Sequence, residues 1–170
     1  MPIERKLTAI VFTDIAGFTE LSAQDEENAF ALIEIQRNVL KPIVKGHGGQ
    51  WLKEIGDGLL LSFPSSIQAV NCAIAIQDAV RTIDNLALRI GVHQGDILQK
   101  DDDIFGDDVN IASRIQEYAP VDGIAISQKV EADISSHPKY KTKYIDQPKL
   151  KGVKQKSRYF QLAWNLQSLH

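Results

Sequence analysis

The chain has a single cysteine, Cys72, so it cannot form an intrachain disulfide, and this scarcity fits a reducing compartment. No apolar run approaches the roughly 20 residues that cross a bilayer, and Met1 to Lys6 carries no apolar signal region. The expectation is a cytoplasmic protein, or a cytosolic domain of a larger one, without direct membrane insertion. Neither charge sign dominates: 19 basic residues stand against 22 acidic ones, a net charge of −3. That balance gives no global pull toward nucleic acid or an anionic membrane, so a phosphorylated ligand would need a local basic pocket. The sequence also lacks a zinc-type Cys/His cluster, a Walker A loop and a nucleophile elbow. Repeats, low-complexity segments and dividing linkers are missing too. At 170 residues, the chain reads as one domain spanning 1–170.

Present instead are short apolar runs that alternate with helical periodicity. Leu7 to Thr13 reads as a buried strand ending at Asp14, and Gly17-Phe18-Thr19 opens a helical region. Ala29, Ile33, Leu40 and Val44 mark one face of a helix from Asp25 to about Lys45, which Pro42 should kink or restart. Trp51–Ile55 and Leu59–Phe63 flank Gly56-Asp57-Gly58, a strong hairpin signal. A helix carrying Ile67, Val70, Ile74, Val80 and Ile83 follows. Leu86–Gln94 reads as a strand that Gly95-Asp96 turns back into Ile97-Leu98. A helix after Gly106 runs through Glu117, Gly123–Ser127 is a short strand, and Ser127 is a candidate cap for the helix after it. Two strand-like runs, Tyr140–Ile145 and Arg158–Trp164, close the chain around a lysine-rich turn. The expected fold is α+β: a ferredoxin-like βαββαβ sandwich with appended C-terminal strands.

Asp14 should sit at a strand's carboxyl end and Asp57 at a hairpin tip, so pairing the hairpin beside the first strand would bring the carboxylates together. Two hard oxygen ligands beside a helix N-terminus, here opening at Phe18 and Thr19, suit Mg²⁺ and a polyphosphate. Taken singly, Asp14 is an ordinary turn or cap residue and Asp57 an ordinary hairpin residue.

Five phrases in order carry a family likeness. Phe12-Thr13-Asp14-Ile15-Ala16-Gly17-Phe18-Thr19, Lys53-Glu54-Ile55-Gly56-Asp57-Gly58 and Gly91-Val92-His93-Gln94-Gly95 come first. Asp103 through Arg114 and Leu150-Lys151-Gly152 with Tyr159-Phe160 follow. Together they resemble the catalytic domain of class III adenylyl and guanylyl cyclases over nearly the whole chain. The resemblance implies two metal ions, Mg²⁺ or Mn²⁺, held by Asp14, Asp57 and the Ile15 carbonyl. It implies that Lys53 and Asp103 read the purine, that Asn110 orients the ribose, and that Arg114 stabilises the pentavalent phosphorus. Lys151 would grip the terminal phosphates. It also implies a homodimer, each site drawing its metal aspartates from one subunit and the other groups from its partner.

Residue chemistry agrees with those roles. Asn110 and Arg114 lie four apart and share a helix face. Lys53 only donates hydrogen bonds, and ionised Asp103 only accepts them. Adenine offers an acceptor at N1 and a donor at N6, and guanine the reverse, so the pair favours ATP. Asp102 stands next to Asp103 and is an alternative base reader. His93, within a strand, reads as a packed histidine rather than a ligand or base. The expected activity is adenylate cyclase, forming 3′,5′-cyclic AMP and pyrophosphate. A catalytically silent cyclase-like module, a guanylate cyclase and a metal-dependent phosphohydrolase are the alternatives. The chain reads either as a stand-alone cyclase or as part of a larger protein, with a fused or separate regulatory domain as a candidate partner.

Overall fold

The computed structural model describes residues 3–145 and 158–164. Its ferredoxin-like unit is built from β1 (Glu4–Ile15), α1 (Phe18–Gln24), α2 (Glu26–Gly46), β2 (Gln50–Ile55), β3 (Gly58–Phe63), α3 (Ser66–Val80) and β4 (Leu88–Lys100). There follow β5 (Asp103–Phe105), α4 (Asp107–Glu117), β6 (Ile124–Ser127), α5 (Gln128–Ile134), β7 (Lys141–Ile145) and β8 (Tyr159–Ala163). Eight strands form one sheet in the order β2-β3-β1-β4-β6-β8-β7, with β5 also paired to β4. The βαββαβ core and the appended strands are those expected from the sequence. No helix among the described residues is long and apolar enough to cross a membrane.

Strand alternation divides the core between the two faces of the sheet. Ala9, Val11 and Ile15 of β1 join the main cluster with Leu32, Leu40 and Val44 of α2, Val70 and Ile76 of α3, and Val130 of α5. Ile10 points the other way, into a smaller cluster with Leu60, Ile97, Ile104 and Ala112 of α4. One face is thus covered by several helices, while α4 packs on the other. Cys72 is fully buried in the main cluster, and burial pushes its thiol up to about 12.

Two sequence expectations need correction. Gly95-Asp96 makes no turn: β4 runs straight through it, in register with β1 from Glu4↔Gln99 to Ile15↔Leu88. Glycine is needed at 95 for space, because a Cβ there would stand 2.1 Å from Asp108 Cγ on α4. The hairpin falls later, at Asp101-Asp102, where Asp101 takes a positive φ of 55° before β5 begins. Pro42 lies inside α2 without restarting it, and the helix continues to Gly46. α3 ends at Val80, short of Ile83. Its start is fixed by Ser65, whose side chain accepts from the Gln68 N–H, and Ser127 caps α5 through the Val130 N–H.

Candidate active site

Asp14 is the penultimate residue of β1, and Asp57 follows Gly56 in the β2–β3 turn. Because β3 pairs antiparallel beside β1, with Thr13 opposite Leu59, that turn lies at the carboxyl end of β1. The Ile15 N–H donates to Asp57 Oδ2 at 2.8 Å, tying the hairpin to the strand. Gln36, buried on the inner face of α2, donates to the Asp57 carbonyl at 3.3 Å. Gly58 is confined by close packing, since a Cβ there would meet the Thr13 carbonyl at 2.8 Å. The aspartates therefore converge through backbone pairing and a hydrogen bond.

Asp14 bears the electrostatic load of this arrangement. Burial raises its carboxyl above the ordinary value, and the nearby Asp57 carboxylate adds to the rise. The Gln116 side-chain amide and the Arg89 guanidinium oppose it. Arg89 Nη1 is 3.7 Å from Asp14 Oδ2, an ion pair beyond hydrogen-bond length. The amide lies beside the carboxylate, yet Asp14 Oδ1 and Gln116 Nε2 are both buried without a partner in bonding geometry. A buried, orphaned carboxylate oxygen next to a second carboxylate fits a hard divalent cation. No group of three or more His, Cys, Asp or Glu side chains able to hold a metal occurs among the described residues. Further ligands would have to be oxygens of the backbone, such as the Ile15 carbonyl, of water or of phosphate, as Mg²⁺ accepts.

Lys53 reaches the same sheet face through an irregularity absent from the sequence reading. The β2–β3 register slips between Trp51 and Lys53. Leu52 then packs against the α4-side cluster, and Lys53 lies opposite Leu60, a member of that cluster. Lys53 Nζ lies 3.0 Å from the Asp103 carboxylate, at the start of β5. It is thus Asp103, rather than Asp102, that pairs with Lys53, and a second bond from the Ile104 N–H at 2.9 Å fixes the carboxylate. Arg37 steadies β2 from α2, holding Glu54 with two contacts of 2.8 Å.

Asn110 and Arg114 lie on α4, whose inner face carries Ala112, Ile115 and Gln116. Asn110 is exposed and Arg114 partly so. Phe18 and Thr19 occupy the first two positions of α1, where Gly17 adopts a left-handed φ of 76° and gives no side-chain cap. Lys151 lies outside the described residues, as do Lys149, Lys154 and Lys156. A shallow cavity of about 100 Å³ lined by Lys6, Thr8, Gln50 and Ser62, at the other end of β1, holds none of the candidate residues. Gln36, Arg89 and Gln116 escaped the sequence reading. The detectable signal was polarity on an apolar stripe: Gln36 falls between Leu32 and Leu40, and Gln116 follows Ala112 by one helical turn.

The ferredoxin-like sheet thus brings two carboxylates together at one strand end and aligns a Lys–Asp pair on the same face. The adenylate and guanylate cyclase catalytic domain matches residues 4–163, and the chain belongs to that family. It is 39% identical over 136 residues to putative adenylate cyclase 3 of Rhizobium meliloti (strain 1021), a match covering 75% of this chain and 23% of that protein. An adenylate cyclase of Streptomyces coelicolor is 29% identical over 73% of this chain and 33% of its own length. The chain thus spans a third or less of either relative. Among solved structures, an adenylate/guanylate cyclase/hydrolase from Silicibacter pomeroyi superposes with a TM-score of 0.87 at 30% identity, covering 94% of this chain and 98% of that one. The adenylyl cyclase CyaB from P. aeruginosa shares the fold, with a TM-score of 0.88 over the whole of both chains at 23% identity. Catalytic domains of this family generally depend on a divalent cation.

Proposed function

We propose that residues 1–170 form one catalytic domain of an adenylate cyclase, which converts ATP to 3′,5′-cyclic AMP and pyrophosphate in sites shared by two copies of the chain. The carrying observation is the placement of the Lys53–Asp103 pair on the same α4-side face of the sheet as Asp14, with Asp57 at that strand's end. In the reaction the ribose 3′-oxygen bonds to the α-phosphorus, the bond to the β-phosphate oxygen breaks, and the hydroxyl proton is lost. Two Mg²⁺ or Mn²⁺ ions held by Asp14, Asp57 and the Ile15 carbonyl would acidify that hydroxyl and neutralise the leaving phosphates.

The chain's own groups do the remainder. Lys53 donates to adenine N1 and Asp103 accepts from the N6 amino group. Asn110 holds the ribose, and Arg114 meets the charge that builds on the phosphoryl oxygens. Phe18 and Thr19, at the uncapped start of α1, border the phosphates, and Lys151 is assigned to their far end. A shared site is supported by the outer face of α4. Asn110 and Arg114 each stand two residues, about 200° of helix, from the inward-facing Ala112, whereas Asp14 lies beneath the helix next to Gln116. Groups on opposite sides of a helix about 10 Å thick are best used by one substrate when a second chain supplies one set. A fused or separate regulatory element is consistent with the greater length of the relatives.

The test is to incubate purified chain with ATP or GTP and with Mg²⁺ or Mn²⁺, and to identify the products chromatographically. Cyclic AMP with pyrophosphate is expected. Cyclic GMP alone would move the reading to a guanylate cyclase. No cyclic product under any combination would leave a silent cyclase-like module.

A further inference from the structure

On its α4 side, β4 presents Arg89, Gly91, His93, Gly95 and Ile97, the residues opposite Asp14, Phe12, Ile10, Thr8 and Lys6 of β1. The two glycines let α4 lie almost on the backbone. A Cβ at 91 would stand 2.4 Å from Gln116 N, and one at 95 would strike the Asp108 carboxyl. Bare backbone permits close approach but carries no side chain to fix how far the helix slides or rolls. Between the glycines stands His93, only 8% exposed, with Nε2 2.7 Å from Asp108 Oδ1. A carboxylate oxygen only accepts, so Nε2 carries the proton and donates. The other ring nitrogen, Nδ1, is buried without a partner, leaving Asp108 as the observed anchor of this ring. Asp108 lies in the first turn of α4, two residues before Asn110 and six before Arg114.

We infer that His93 is a positioning residue for the cyclase reaction: its bond to Asp108 sets the roll and height of α4, and so aims Asn110 and Arg114 at the partner's aspartates. The inference rests on the shared-site reading above. With side chains about 5–6 Å from the helix axis, a 10° roll moves an outward group by about 1 Å, and misplacement on that scale costs on the order of 10² in rate. His93 belongs functionally with Arg114, although its strand lies directly beside the one that carries Asp14.

The assay measures kcat and KM for His93→Leu and His93→Gln, then mixes differently tagged chains and normalises activity to the heterodimer recovered through both tags. H93L should lose about 10²-fold in kcat with little change in KM for ATP. H93Q, whose amide can still donate, should recover most of that loss. In mixtures, H93L should restore activity with Asp57→Ala, since one site then combines intact aspartates with an intact α4. It should fail with Arg114→Ala, where each site has a damaged α4. Rescue by R114A but not D57A, rescue by both or neither, or an H93L kcat within threefold of wild type would overturn the inference. If H93L does not fold, Asp108→Ala breaks the same bond and must give the same mixing pattern. The control mixture D57A with R114A tests the shared site itself. If that control stays inactive while the chains pair, the shared site fails. The inference then falls with it, whereas failure of the H93L mixtures with the control restored overturns the inference alone.

Discussion

Replacing Gly91 by alanine adds one methyl group where the backbone of α4 lies directly against β4. The new Cβ would lie 2.4 Å from Gln116 N and 2.6 Å from Gln116 Cα, against ordinary contacts that begin near 3.4 Å. Both obstructing atoms are main chain, so no side chain can swing aside, and the carboxyl end of α4 must lift by about 1 Å. Overpacking of this kind costs about 1–3 kcal/mol, and each kcal/mol lowers Tm by roughly 2–4 °C in a domain of this size. The lift also carries Arg114 away from its working position and draws the Gln116 amide from Asp14. The expected kcat is about 10²-fold lower, with KM for ATP little changed. Gly46→Ala is the comparison: nothing stands within 4 Å of its Cβ, and alanine favours the helix end by about 0.5–1 kcal/mol. That variant should keep full activity with an equal or higher Tm. The assays are thermal unfolding and initial rates of cyclic AMP formation at saturating ATP and Mn²⁺. A G91A chain with kcat within threefold of wild type and an unchanged Tm would refute the close packing of α4 on β4.

Asp14→Asn should abolish activity yet raise the Tm of the metal-free chain at pH 7. The sign follows from a carboxyl held above 3.8 in the fold: its contribution to stability is complete below that ordinary value and is lost as pH rises through the folded value. The D14N advantage should therefore shrink toward pH 3, while Mn²⁺ binding by the wild type weakens as pH falls through the same range. Exchanging the base readers in one variant, Lys53→Glu with Asp103→Cys, should invert the ATP to GTP preference in kcat/KM, a discrimination that buried polar mismatches can carry to about 10⁴. An unchanged preference would remove both residues from base reading. Cys72, with its thiol pushed to about 12, should resist a disulfide reagent at pH 8 in the native chain and react promptly in denaturant.

The sequence made the fold legible where one rule acted alone. Apolar periodicity located β1, α2 and α3, Gly56-Asp57-Gly58 announced its hairpin, and Ser127 its cap. The reading erred where two rules competed. Gly95-Asp96 has the composition of a turn, but the same glycine serves a close approach of α4, a demand set by residues 13 positions away. At the site, Asp14 and Asp57 could be placed together because hairpin pairing is local. Gln36, Arg89 and Gln116 could not, because each reaches the aspartates from a different element. The Leu52 bulge that aims Lys53 likewise depends on what β3 buries, which no local pattern in β2 records.

Under the proposed function, the Lys53–Asp103 contact bears directly on the choice of substrate. The side chains are 44% and 35% exposed, and a pair so accessible contributes only about 0.2–1 kcal/mol. Opening it is therefore cheap, and the cost to be met is that of leaving a cation and an anion facing a base that cannot satisfy them. Adenine can replace each partner with its complement: N1 accepts a hydrogen bond from the lysine ammonium, and the N6 amino group donates one to the aspartate. Guanine would set an N–H against lysine and a carbonyl against aspartate, leaving both charges opposed as water is displaced. On the proposed reading, an adenine edge is thus the replacement for this ion pair that leaves neither charge unsatisfied. Selectivity on this account requires both charges, so neutralising either residue alone should weaken ATP use more than it improves GTP use.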